Sequence, residues 1–261
     1  MDIRITHIDT ACILLEINGY RILTDPTLDK GGHVYYHGYG SFSRKTGDPA
    51  IDPDSLAKVD MVLLSHHQHQ DNFDDAGKEF TTGVPLVIST VIAARDLRGV
   101  RGLNEWETIR IHDERVPGLR ITATPAQHRP WWIPEFVSGK VIGFVIEYDG
   151  QENGVVYISG DTVYFKGIEQ VASRYKIDTG IFHVGSVQFR YLTGFGKYTM
   201  DSNDLIKAVQ VLQPSRVIPI HQKGWSHFKE TENHLLNRLH EQPELSRRLI
   251  YLNMGERTSL Y

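Results

Sequence analysis

The stretch "LLSHHQHQDNFDD", residues 63–75, holds three histidines and three aspartates directly after an apolar run. Neutral imidazoles and carboxylates bind zinc, iron or manganese at neutral pH, with about three or four such ligands per ion. In an extended segment His67 and His69 point their rings the same way, and Asp71 continues the alternation. A turn between His69 and Asp71 would instead divide them between two neighbouring ions. Three other apolar runs end in the same chemistry: His128 in "TPAQH", Asp161 in "YISGD" and His221 in "IPIH".

These groups must be carried by elements that meet. "IRITHI", "CILLEI" and "YRILTD" read as a β-meander, with Asn18–Gly19 a hairpin signal between the last two. Asp29 to about Pro53, including "GGHVYYHGYGSF", has no helical or strand period and reads as a long irregular loop of the kind that is usually functional. "MVLL" is a fully buried strand; "DNFDDAGKEF" starts a helix that Asp71 or Asn72 can cap, with Asp74 and Asp75 in its first turn. "PLVIST" is a strand and "VIAARDL" a short helix. The strands "ETIRIH", "LRITATPA", "KVIGFVIEY" and "GVVYISG" follow, and then helices at "IEQVASRY" and "DSNDLIKAVQVL" alternate with strands at "DTGIFHV" and "RVIPIH". "TENHLLNRLH" is a last amphipathic helix. The order predicts one α/β domain over 1–261, with two mixed sheets flanked by helices in four layers, αββα. Strand ends of both sheets would then converge on one edge, where α/β sheets receive ligands.

Bulk properties narrow the function. The chain has 261 residues, 40% hydrophobic and 23% charged, with a formal charge of −4. No block of basic residues offers a phosphate-neutralising surface, so no nucleic-acid partner is expected. The single cysteine, Cys12, lies in an apolar run and reads as a small buried residue. "MDIRITHIDT" is not a signal peptide, and no apolar run reaches the roughly 18 residues of a membrane span. A cytoplasmic protein acting on a small-molecule substrate is expected, as a monomer or a homo-oligomer.

"HQHQDN" resembles the HxHxDH motif of the metallo-β-lactamase superfamily, and "TPAQH", "YISGD" and "IPIH" occur in the order of that superfamily's remaining ligands. The opening "THIDTACILLEINGYRILTDPTLD" is similar to its lactonase-like branch, which includes ascorbate-6-phosphate lactonases and phospholipase D-type acyl-ethanolamine hydrolases. The resemblance runs from Thr6 to about Glu230. It implies one or two divalent ions, zinc first, with manganese or iron as alternatives. His67, His69 and His128 would form one site, Asp71 and His221 a second, and Asp161 would bridge them. Related sequences reading "SHDxHxDN" point to His66 in place of His67, and both registers stay open. Asn72 stands where the motif has histidine, so the second site would need another group such as His183 or His227. Gln68 replaces the glutamate of the diiron redox branch and disfavours that chemistry. The implied activity is a metal-dependent hydrolase. Its metal-activated hydroxide attacks an ester, lactone, amide or phosphodiester bond, and Asp71 orients the nucleophile. The competing expectation, raised by Asn72, is a metal-poor member acting as a binding protein.

Asp25, in "LTDP", reads as a turn residue or a carboxylate supporting the ligands. His183 ends a strand and can line the cleft, and His227 can meet substrate. His33, His37, His112, His234 and His240 read as surface or packing residues. Trp131 and Trp132 form an apolar wall, a lid or a subunit contact, or pack on a sheet edge. Arg129, with Arg190, Lys197 and Lys223, would be the group to meet an anionic substrate.

Overall fold

Alternating side chains decide the layers. In β2 (Cys12–Ile17), Ile13, Leu15 and Ile17 enter one core while Cys12 and Leu14 enter another. The structure, a computed structural model, describes residues 2–56 and 58–260. β1 (Ile3–Asp9), β2 and β3 (Tyr20–Thr24) form the expected antiparallel meander. β6 (Met61–Leu63), β7 (Val87–Thr90) and β8 (Val100–Leu103) extend it in parallel. The second sheet holds β9 (Thr108–Arg110), β10 (Arg120–Pro125), β11 (Ile142–Glu147), β12 (Val155–Ile158), β13 (Ile177–His183) and β14 (Arg216–Ile220). β15 (Arg257–Ser259) closes the free edge of β1. Each sheet is antiparallel on one side and parallel on the other.

The main core lies between the sheets, where Ile13, Leu15 and Leu63 of one meet Ile121, Phe144 and Ile181 of the other. Burying each such side chain is worth about 1.5–3 kcal/mol. The outer face of the first sheet is covered by Ala76 and Phe80 of the Asp75–Thr81 helix. The outer face of the second is covered by the Lys166–Arg174, Ser202–Leu212 and Glu232–His240 helices, through residues such as Val171, Leu205 and Leu235. The expected four layers are therefore present: this is a metallo-β-lactamase fold.

Three local expectations need correction. Asp74, not Asp71 or Asn72, caps the Asp75–Thr81 helix, accepting from the Gly77 N–H at 2.9 Å. Asp71 is instead drawn to histidines. Strands β8 and β15 lack the apolar runs that betray a buried strand. The segment read as an irregular loop contains a hairpin, β4 (Val34–Gly38) and β5 (Ser41–Arg44), which forms its own two-stranded sheet. Its pattern escapes detection because the buried face of β5 carries serines, Ser41 and Ser43, rather than apolar side chains.

A buried cation secures this hairpin. Lys45, fully buried, follows β5 and places Nζ 2.7 Å from Asp9 and 3.0 Å from Asp74. Burial alone would lower its pKa, but the two carboxylates reverse this and hold it above the ordinary lysine value. Asp74 also accepts from the backbone of Leu28 and Asp29, so one carboxylate joins hairpin, loop and helix. Replacing Lys45 by Ala strands two buried carboxylates. The expected loss is about 3–5 kcal/mol, read as a lower urea midpoint at unchanged slope.

Candidate metal centre

The site forms where β6, β10, β12 and β14 release the chain. Just beyond β6, Asp25 fixes the exit by accepting from the Ser65 N–H at 2.7 Å. The chain then turns rather than continuing extended, with the N–H groups of Asn72 and Phe73 both donating to the His69 carbonyl. A bend at His67 and Gln68, just before this turn, brings His66 and His69 together. His66 Nε2 and His128 Nε2 each stand 3.1 Å from His69 Nδ1. Asp161 follows Gly160, whose φ of +60° and close approach to the Ile142 carbonyl leave no room for a Cβ. Asp71, Asp161 and His221 form a second group, with His221 Nε2 lying 3.6 Å from Asp71 Oδ2 and 3.7 Å from Asp161 Oδ1. In each group the ligand atoms all lie within 4.8 Å of one another.

Backbone carbonyls set two of the tautomers. His128 donates from Nδ1 to the Tyr198 carbonyl at 3.0 Å, and His221 donates from Nδ1 to the Val184 carbonyl at 3.2 Å. Each ring therefore turns Nε2 toward its group. Burial pushes His66 down to about 3 and also lowers His69 and His128, so this trio is uncharged at neutral pH. Burial would raise Asp71 and Asp161, but nearby histidines hold both well below the usual carboxylate range: His227 foremost for Asp71, His221 for Asp161. Burial would lower His221, yet Asp161 and Asp71 raise it to about 9. Two carboxylates that would keep a proton on His221 would equally hold a cation in its place.

The structure places the anticipated residues unequally. His66 joins the cluster; His67 does not, its Nε2 bonding Asp96 at 3.0 Å on the Val91–Asp96 helix. The alternation argument for His67 fails because residues 66–72 turn. Asn72 is buried and donates weakly to Asp161 Oδ1 at 3.4 Å. His183, expected at the cleft wall, is fully buried and bonds Asp161 Oδ1 at 2.8 Å, with Asp25 behind it at 3.9 Å. His227 Nε2 bonds Asp71 Oδ2 at 2.9 Å. Arg129 turns away, donating to the Ile133 carbonyl at 2.7 Å. His37, read as a surface or packing residue, lines the cleft beside His69 and His227. Its signal was the histidine-bearing, period-free segment itself.

With this geometry fixed, comparison places the chain. Residues 20–222 match the beta-lactamase superfamily domain. The chain belongs to the beta-lactamase superfamily. A UPF0173 metal-dependent hydrolase from Pyrococcus abyssi is 30% identical over 189 residues, covering 69% of this chain and 75% of its own length. One from Thermoplasma acidophilum is 29% identical over 204 residues, covering 72% and 82%. In three dimensions the chain is similar to a possible metal-dependent hydrolase from Veillonella parvula, with TM-score 0.80, 20% identity and 100% of both chains covered. An isothiocyanate hydrolase from Delia radicum gut bacteria gives TM-score 0.78 at 22% identity, covering 99% of this chain and 100% of its own.

The superfamily implies metal, and the residues present fit it. Asp161 Oδ2, His221 Nε2 and Asn72 Oδ1 are buried with no hydrogen-bond partner among the described residues. His69 Nδ1, facing two other ring nitrogens, can satisfy at most one of them with a proton. Stranded lone pairs of this kind are costly unless a cation shares them. His66→Ala should therefore lower the metal content of the purified protein, while His67→Ala should leave it at the parent level. Elemental analysis of the two variants checks this, and the opposite ranking would restore the other register.

Proposed function

We propose that this protein is a hydrolase holding two divalent ions, one at His66, His69 and His128 and the other at Asp71, Asp161 and His221. Asp161 stands beside both groups, its Oδ1 3.7 Å from His221 Nε2 and its Oδ2 3.6 Å from the Nδ1 side of the His128 ring, and would be the carboxylate shared between them. The single observation that carries the reading is these two adjoining buried trios of ligand atoms. Zinc suits the imidazole trio best; the carboxylate-rich group also suits manganese or iron. When bound, such ions lower the pKa of a water toward about 7 and polarise the bond under attack.

The chain's own residues do the remainder. Asp71, its Oδ2 anchored by His227, orients the attacking water. His183 holds Asp161 Oδ1 and so sets the direction of the bridging carboxylate. The overhanging β4–β5 hairpin, with His37, Tyr39 and Ser41 on the cleft wall, limits access of bulk water. The bond cleaved is an ester, lactone, amide or phosphodiester of a small molecule, and a cytoplasmic setting suits the one buried thiol, Cys12. Asn72, which raised the alternative of a metal-poor binding protein, donates its amide to Asp161 and leaves both trios complete.

Two measurements test the proposal. Chelation should abolish hydrolysis of a lactone, ester, amide and phosphodiester panel, and added zinc or manganese should restore it. Turnover that survives in stripped protein would reject metal dependence. His183→Ala, which removes the ring that bonds Asp161 and stacks on His221, should weaken metal affinity by about 10–100-fold in a competitive chelator titration.

A further inference from the structure

Among the described residues, no lysine or arginine lines the cleft above the two ligand groups. The cations that the sequence offered as anion binders, and Lys45, are engaged elsewhere, while Arg129 and Lys166 line a neighbouring pocket on the far side of His128 and Ser138. Arg129 is held by the Ile133 carbonyl. Arg190 bonds the Gln188 side chain at 3.1 Å and lies over the Phe195 ring. Lys197 pairs with Asp201 and Asp204, both at 2.7 Å. Lys223 contacts Tyr251 and Glu232, and Lys45 is spent on Asp9 and Asp74. Proteins that select phosphate or carboxylate groups usually recruit such cations, most often a forked arginine.

What the cleft offers instead is apolar and aromatic. Val137, Val187, Phe189 and Tyr198 form its walls, and its polar groups apart from the ligand residues are the Ser41 and Ser138 side chains, Tyr39 and the rings of His37 and His227. Phe189 stacks on His227 with ring centroids 5.5 Å apart and planes 19° from parallel. The apolar character continues outward. Among the described residues, the exposed large hydrophobic side chains fall in three segments that border this cleft. The hairpin presents Tyr36, Tyr39 and Phe42. The segment after His128 presents Trp131, Trp132 and Phe136, and the one after Phe189 presents Tyr191 and Phe195. Trp131 and Phe195 are each 81% exposed, so neither is a packing residue. The segments touch: Tyr191 Oη donates to the Gly40 carbonyl at 3.2 Å, and Trp132 lies against Gly196.

We infer that the substrate is an uncharged molecule carrying a flat apolar group, an aryl ester or amide in class, with that group against Phe189 and the aromatic rim of the cleft mouth. This rests on the hydrolase reading for the reaction, but the ligand class rests on the cleft walls alone. It removes phosphodiesters and carboxylated substrates from the range left open above.

The test uses metal-loaded full-length protein, in which bound cations would otherwise favour an anion. Fluorescence titration with 2-naphthol and 2-naphthoate compares neutral and anionic aryl ligands of one shape. 2-Naphthol should bind at least about tenfold more tightly, and Phe189→Ala should weaken it about tenfold, the scale of one lost aromatic contact. Equal or tighter binding of 2-naphthoate, or unchanged 2-naphthol binding in Phe189→Ala at parent metal content, overturns the inference. Turnover of 2-naphthyl acetate, 4-acetoxybenzoate and bis(4-nitrophenyl) phosphate, each set against its uncatalysed rate, separates the two proposals. Selective 2-naphthol binding with no turnover supports the ligand class and counts against the hydrolase. Preferred turnover of the phosphodiester keeps the hydrolase and sinks the ligand class.

Discussion

Taking an ionisable group out of water costs free energy unless something inside replaces the water. Six such groups, His66, His69, Asp71, His128, Asp161 and His221, converge here in one small volume, and all but the partly exposed His69 are buried. Hydrogen bonds satisfy only their outer sides: the Tyr198 carbonyl behind His128, the Val184 carbonyl behind His221, His183 behind Asp161 and His227 behind Asp71. Their inner sides face one another. That frustration orders the rest of the structure, because each supporting element must hold a ligand against its own preference for solvent.

The backbone carries part of that cost. Asp25 and His221 have φ of 33° and 65°, in the left-handed region that branched and ring-bearing residues avoid. Nearby Thr10 and Ser186 do likewise, at 37° and 51°. Each such residue costs on the order of 1–3 kcal/mol. They are held by long-range bonds: the His221 N–H donates to the Thr10 carbonyl, and the Asp25 N–H to the Leu63 carbonyl. The two-sheet core, with its fully buried isoleucines and leucines, supplies the stability that keeps these corners in place.

Sequence reading reached the layers because their cause is local. Alternation in "CILLEI" and the unbroken apolar run at "MVLL" report which strand faces are buried, and the ligands follow those runs directly. It left His66 and His67 undecided because the choice depends on a bend at His67 and Gln68, which no side-chain period encodes. It missed His37 for a related reason. The buried face of that hairpin is polar, Ser41, Ser43 and Lys45, and no apolar pattern betrays it. Arg129, Lys197 and Lys223 were plausible anion binders on spacing alone; their partners lie elsewhere in the chain, and only the fold reveals that these charges are already spent.

Stability and selectivity thus fall to different parts of one architecture. The sheets and the carbonyl-fixed histidines make a centre that any member of the superfamily could share. The hairpin and the segments after His128 and Phe189 lie outside the layered core, and no ligand atom comes from them. They are free to vary without disturbing the ligand groups, as loops mounted on a rigid scaffold are. Yet they are anchored to it: Lys45 ties the hairpin to Asp74, which caps the helix following Asp71, and Ser226 ties it to the segment carrying His227. A change in what fills the cleft would therefore reach Asp71 from two directions, through the helix that follows it and through His227, linking recognition to a carboxylate of the second ligand group.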